Sequence, residues 1–213
     1  MFEHQNLPNL GITISTLPAE IYRPVLSEIK DIQRDDSEIV KMNKTLAGHV
    51  AKEYQLTKSR SFLDPFLIKM GEEYCSQWGG VISDKSADES KRRKSDNPKL
   101  KIDSIWVNCQ SKYEYNPLHN HGGLLSFVCW MEIPYKIGDE QNTDHSKHSR
   151  DWEQSSTFQF VYTNILGKVV NIPFFVERGW EGRIVMFPSD LLHVVYPFYT
   201  SNDYRISIAG NIL

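Results

Sequence analysis

The chain changes its hydrophobic rhythm near its middle. After Pro18, Ile21, Val25, Ile29 and Ile32 recur at three- and four-residue steps, the spacing that lines one face of an α-helix. Pro24 falls inside this run and blurs its start. Leu46, Val50 and Tyr54 predict a shorter second helix. A third helix carries signals at both ends. Asp64 is a candidate N-cap, Pro65 a first-turn proline, Leu67, Met70, Tyr74 and Trp78 an apolar stripe, and Gly79 a stop. These stripes read as packing surfaces. Residues 83–100 are polar and read as a surface loop. Their run Lys91, Arg92, Arg93 and Lys94 is either a solvated charged face or a contact for an anionic partner.

From position 101 the rhythm shortens. IDSIWVNCQ, LLSFVCWMEI, TFQFVYTN, GKVVNI, PFFVE, GRIVMF, LLHVVYPF and YRISIAGNI are short runs rich in β-branched and aromatic residues. Gly, Pro, Asn, Asp or Ser divide them, as expected of successive strands. The pattern predicts a mainly β protein with N-terminal helices and a jelly-roll or barrel-like double sheet. Residues 1–100 form a helical segment packing on a core over 101–213, as one compact domain. The interval from Ile137 to Ser156 is long and polar, and reads as a segment closing over a substrate. Its His145 and His148 read as solvent-exposed.

Composition narrows the class. Hydrophobic residues at 40% and charged residues at 24% fit a globular chain, and 213 residues suffice for a sizeable core. A net charge of −3 disfavours a general nucleic-acid binder, though a local basic patch remains compatible. Cys75, Cys109 and Cys129 are odd in number and widely spaced, which argues against a disulfide framework. No signal-like start or membrane-length apolar run is present, so a cytoplasmic setting without membrane partners is expected. The 12% aromatic content leans towards strands and a lined pocket. Oligomeric state is not legible.

Three places could carry chemistry. In Asn116-Pro117-Leu118-His119-Asn120-His121-Gly122-Gly123, two histidines two residues apart share a face of an extended segment. They are either first-row metal ligands or polar loop residues. His193 lies in an apolar strand after the Pro188-Ser189 turn, as a core histidine or as a ligand in a dry pocket. In Tyr204-Arg205-Ile206-Ser207-Ile208-Ala209, alternation puts Arg205, Ser207 and Ala209 on one face. A half-buried arginine there needs an anionic partner, either a ligand carboxylate or an acidic residue of the chain.

Taken in order, WVN at 106–108, NPLHNH, LLSFVCWMEIP, GRIVMFPSDLLHVVYP and RISIAGN resemble the Fe(II)- and 2-oxoglutarate-dependent dioxygenases. The sequence looks most like a small branch common in phages of marine bacteria, which would place it in a host cytoplasm. The resemblance covers residues 101–213, with a looser match around Leu46–Leu56. It implies a double-stranded β-helix with iron held at one end by a His-x-Asp/Glu…His triad. By position, His119 and His193 are the outer ligands and His121 stands where the carboxylate usually does. Arg205 matches the anchor for the C5 carboxylate of 2-oxoglutarate, Ser207 could add a hydrogen bond, and Asn108 and Ser126 could line the co-substrate site.

A third histidine leaves the iron one unit more positive than in the usual site, and Asp190 and Glu132 are candidate substitute carboxylates. The implied reaction couples decarboxylation of 2-oxoglutarate, to succinate and carbon dioxide, to hydroxylation of a small-molecule or peptide substrate. Trp106, Phe127, Trp130, Phe158, Phe160 and Tyr162 should alternate between the pocket and the packing around it. A three-histidine zinc hydrolase or lyase, and a non-catalytic jelly-roll binding module, are the competing readings.

Overall fold

The protein is represented by a computed structural model that describes residues 10–34, 48–82, 100–147 and 154–213, the side chains of 79–82 excepted. The basic run Lys91–Lys94, Leu46 and His148 lie outside the described residues. Ten strands form two antiparallel sheets among those described. The larger sheet has the order β1-β8-β5-β10-β3-β2, with β1 at Thr13–Thr16, β8 at Arg183–Pro188, β5 at Leu125–Glu132, β10 at Arg205–Ile212, β3 at Ile102–Gln110 and β2 at Glu53–Gln55. The smaller has the order β4-β9-β6-β7, with β4 at Asn116–His119, β9 at His193–Val195, β6 at Phe158–Thr163 and β7 at Val169–Phe174.

Period-two alternation assigns the two faces of the larger sheet. Ile105, Val107, Leu125, Cys129, Ile184, Met186, Ile206 and Ile208 point outward into a core shared with two helices. Val128, Trp130, Val185 and Phe187 point inward and meet Phe158 and Phe160 of the smaller sheet. Helix α1 (Ala19–Arg34) buries Val25 and Ile29, as its stripe predicts. Pro24 sits within it. Helix α2 (Arg60–Ile82) buries Leu63, Leu67, Met70 and Tyr74 in the same outer core.

Four expectations about the elements need correction. The α2 helix begins before Asp64 and runs through Gly79. Its start is set from outside the helix. The Glu28 carboxylate of α1 accepts the backbone N–H groups of Thr57, Lys58 and Ser59 at 2.6–2.8 Å, and also the Ser59 hydroxyl. Asp64 instead takes Arg60 as an i,i+4 partner at 2.9 Å. The second predicted helix, over Leu46–Tyr54, gives way to β2, which pairs with β3. Val50 and Tyr54 are buried, but Tyr54 and Leu56 alternate with Glu53 and Gln55 in the manner of a strand.

The runs GKVVNI and PFFVE merge into β7, where Pro173 is tolerated because β7 is the sheet edge and needs no N–H there. The interval after Ile137 carries two short helices, α3 (Ile137–Gln141) and α4 (Asp144–Lys147). Its described part is tied down. Fully buried Glu140 accepts the backbone N–H groups of Tyr199 and Thr200, together with the hydroxyls of Ser156 and Thr200. His145 is exposed and stacks on Tyr199. The three cysteines are free. Among the described residues no helix is long and apolar enough to cross a membrane.

Candidate active site

One cavity lies between the sheets. On the larger sheet it is lined by Glu53 of β2, Trp106, Asn108 and Gln110 of β3, and Ser207 and Ala209 of β10. On the smaller sheet Asn116 and His119 of β4 and His193 and Val195 of β9 face it, and His121 completes the wall.

The three predicted histidines converge here. His119 and His193 are direct cross-strand partners in the β4–β9 pair. Their ring centroids are 4.3 Å apart, and that of His121 lies 4.9 and 5.0 Å from them. One ligand atom from each falls within 4.8 Å of the others. His121 lies beyond the end of β4, where its backbone N–H donates to the Ser189 carbonyl at 2.9 Å. The following turn needs a residue in the left-handed region, supplied by Gly123 at φ 97°.

Each outer imidazole is aimed by its own strand. His119 Nδ1 donates to the Pro117 carbonyl at 2.7 Å, and His193 Nδ1 to the Leu191 carbonyl at 2.9 Å. A carbonyl can only accept, so Nδ1 carries the proton and Nε2 is left as a ligand atom. Burial pushes the pKa of His193 down to about 3 and that of His121 to about 4, and also lowers that of His119. Neutral imidazole is the form that binds a metal. Among the described residues no carboxylate joins this group. Glu132 faces the other side of the sheet and pairs with Lys30, and Asp190 is exposed, so neither substitutes for a carboxylate ligand at this position. The donor set fits a first-row divalent ion held by three nitrogens.

Arg205 is buried at 2% exposure, on the face that bears Ser207 and Ala209. Its five N–H donors are engaged by neutral acceptors. Nε and Nη2 donate to Gln110 Oε1 at 3.0 and 2.6 Å, Nη1 donates to the Tyr135 hydroxyl and the Ser156 carbonyl, and Nη2 also donates to the Tyr196 carbonyl. None of these partners is acidic, so the structural salt bridge is not what holds it. Gln110 lines the cavity and separates Arg205 from it. Asn108 Nδ2 reaches the Ser207 hydroxyl at 3.4 Å, on the wall between Arg205 and the histidines. Ser126 is not among the cavity-lining residues. It is bonded to Ser189 at 3.1 Å and to Asn211 at 2.9 Å.

Residues 104–211 match the family model described as "Putative 2OG-Fe(II) oxygenase". The chain belongs to this family. Fe(II) and 2-oxoglutarate are therefore its cofactor and co-substrate, and the oxygenase reading is favoured over a zinc hydrolase, a lyase or a binding module.

No curated protein sequence matches the oxygenase. Solved structures do. A Pseudomonas putida prolyl-4-hydroxylase superposes with a TM-score of 0.53 at 12% identity, covering 94% of this chain and 91% of that one. AviO1 from Streptomyces viridochromogenes Tue57 gives 0.51 at 10% identity, covering 93% and 87%. At such identities the likeness is one of fold, and it establishes the double-stranded β-helix.

The aromatic expectation is met in part. Trp106 and Phe158 line the cavity of the oxygenase, Trp130 and Phe160 are packed in the inner core, the Phe127 ring falls with Leu125 and Cys129 in the outer core, and Tyr162 is half-buried. Reading the sequence did not single out Glu53, Asn116 or Gln110 as cavity residues. Each is an ordinary polar residue in a short or irregular run, and only strand pairing brings them to the histidines.

Proposed function

We propose that the oxygenase hydroxylates a small-molecule or peptide substrate at a centre held by His119, His121 and His193, with release of succinate and carbon dioxide. The observation that carries this reading is the convergence of three neutral imidazoles, His193 buried and His119 and His121 half-buried, on one wall of a single cavity. When bound, iron and 2-oxoglutarate supply the oxidising chemistry by coupling decarboxylation to C–H oxidation.

The chain's own contribution is placement and exclusion of water. The Pro117 and Leu191 carbonyls fix the tautomer and direction of the two outer imidazoles. Arg205 is assigned to the C5 carboxylate of 2-oxoglutarate. A buried guanidinium with only neutral partners is an uncompensated positive charge, and a carboxylate would compete with the Gln110 amide oxygen for Nε and Nη2. Ser207 and Asn108 supply polar groups along the same wall. Trp106, Val128, Phe158 and Phe187 keep the remaining walls apolar, which limits water at the reacting centre. The net charge of −3 supports a small or peptide substrate over bulk nucleic acid.

The test is anaerobic titration of Fe(II)-loaded protein with 2-oxoglutarate. A weak visible charge-transfer band is expected in the wild type and is lost in His193→Ala while the fold is retained. Succinate release stimulated by members of a metabolite and peptide panel identifies the substrate. No band, together with tight zinc binding instead, would overturn the reading.

A further inference from the structure

The three histidines and Arg205 leave part of the cavity wall without a role. Glu53, on the edge strand β2, has its carboxylate turned into the cavity and is 1% exposed. Its Oε2 has no hydrogen-bond partner, and among the described residues no cation pairs with it. Lys52 next to it in sequence has its ammonium over the Tyr204 ring. Glu53 lies outside the histidine group, so it is not positioned as a fourth ligand.

Two more acceptors in the same cavity are also orphaned, Asn116 Oδ1 and Asn108 Oδ1. Asn108 is the direct cross-strand partner of Glu53. Asn116 approaches from the other sheet, since β4 and β2 are edge strands. A glycine keeps the space between them open. A Cβ on Gly48 would lie 2.3 Å from Asn116 Oδ1 and 3.4 Å from Glu53 Oε1.

Buried acceptors without donors are costly, and a buried unpaired carboxylate more so. Oxygens that share one cavity wall, one of them a carboxylate and with no protein donor, are complementary to a group that brings donors and positive charge. Trp106 and Phe158 add ring faces and edges suited to a cation with an apolar stem. Burial and the nearby Glu114 carboxylate push the pKa of Glu53 up to about 7. An arriving cation would favour its ionised form.

We infer that the oxygenase selects a substrate bearing an ammonium or guanidinium group, held by Glu53 and Asn116 at the open edge of the sandwich beside the metal centre. This rests on the oxygenase reading and specifies its substrate class. Glu53 is then a specificity residue, placing the cationic end so that a neighbouring carbon faces the centre.

The test uses the Fe(II)- and 2-oxoglutarate-loaded protein under anaerobic conditions, with four probes followed by ligand-observed NMR. They are benzylammonium, phenylguanidinium, benzyl alcohol and benzoate. At least one cation should bind tenfold or more tightly than benzyl alcohol, with benzoate weakest. Glu53→Gln should abolish that preference while the charge-transfer band with 2-oxoglutarate persists. Gly48→Ala, which places a methyl group between the two oxygens, should weaken cation binding in the same sense. Equal binding of alcohol and cation by the wild type would overturn the inference, even if no variant folds. So would a preference that survives Glu53→Gln, or a Glu53→Gln variant whose main defect is loss of Fe(II) or 2-oxoglutarate binding. Failure of the oxygenase reading appears separately, as absence of the band in the wild type, because the probe preference is read without it.

Discussion

A carbonyl two residues upstream aims both outer histidines, so the ligand direction is a property of the local strand and not of a distant network. Replacing His193 by Ala should therefore lose Fe(II) affinity by well over the roughly 10–100-fold typical of supporting groups, with the metal-free fold kept. Metal titration alongside circular dichroism checks this. Arg205 differs, because its fork is filled by five hydrogen bonds to four acceptors. Arg205→Lys keeps the charge but not the fork, so 2-oxoglutarate affinity should fall about tenfold or more. Titration of the charge-transfer band measures it.

Glu53 has a pH signature of its own. Its folded pKa is raised, so the folded state binds the proton more tightly than the unfolded chain. That contribution to stability is present below about pH 4.5 and is lost as pH rises through about 7. The stability of Glu53→Gln relative to wild type should therefore increase from pH 5 to pH 8, in chemical denaturation of the metal-free protein.

Two buried carboxylates act at the level of the elements. Glu28 joins α1 to the start of α2, and Glu140 joins α3 to the 199–200 backbone that leads into β10 and Arg205. Removing either leaves backbone N–H groups without acceptors. Glu28→Ala should cost about 3 kcal/mol, since each buried orphan donor costs about 1–3 kcal/mol and some regain water. Glu28 also has its pKa lowered, chiefly by the Ser59 hydroxyl and the backbone donors overcoming burial, so its contribution is present above pH 4.5 and fades as pH falls below it. Glu140→Ala should destabilise by a similar amount and also weaken 2-oxoglutarate binding, because Ser156 and Tyr196 both hold Arg205. Denaturant melts and the band titration separate the two effects.

At the scale of the whole molecule, strands from the first hundred residues complete the larger sheet at both edges, β1 beside β8 and β2 beside β3. The helices share a core with that sheet. We propose that the helical segment and the strand-rich core unfold as one unit. A single calorimetric transition is expected, with a higher midpoint when Fe(II) and 2-oxoglutarate are present, because they bind only the folded state.

Periodicity was enough to read the strand-rich half and the shared face of Arg205, Ser207 and Ala209, whereas it was the resemblance to a known family that joined His119, His121, His193 and Arg205 into one constellation. Alternation is a local property, since it sets a side chain's face wherever the strand lies, and the convergence of distant histidines is not. The ends of α2, the strand at Glu53–Gln55, the role of Ser126 and the partners of Arg205 were decided by pairing across long sequence separations. Glu28 starts α2 from another helix, and the β2–β3 register sets Glu53 opposite Asn108. An EYQ tripeptide carries no periodic signal of its own. Its carboxylate becomes part of a cavity wall only because two sheet edges close beside the histidines.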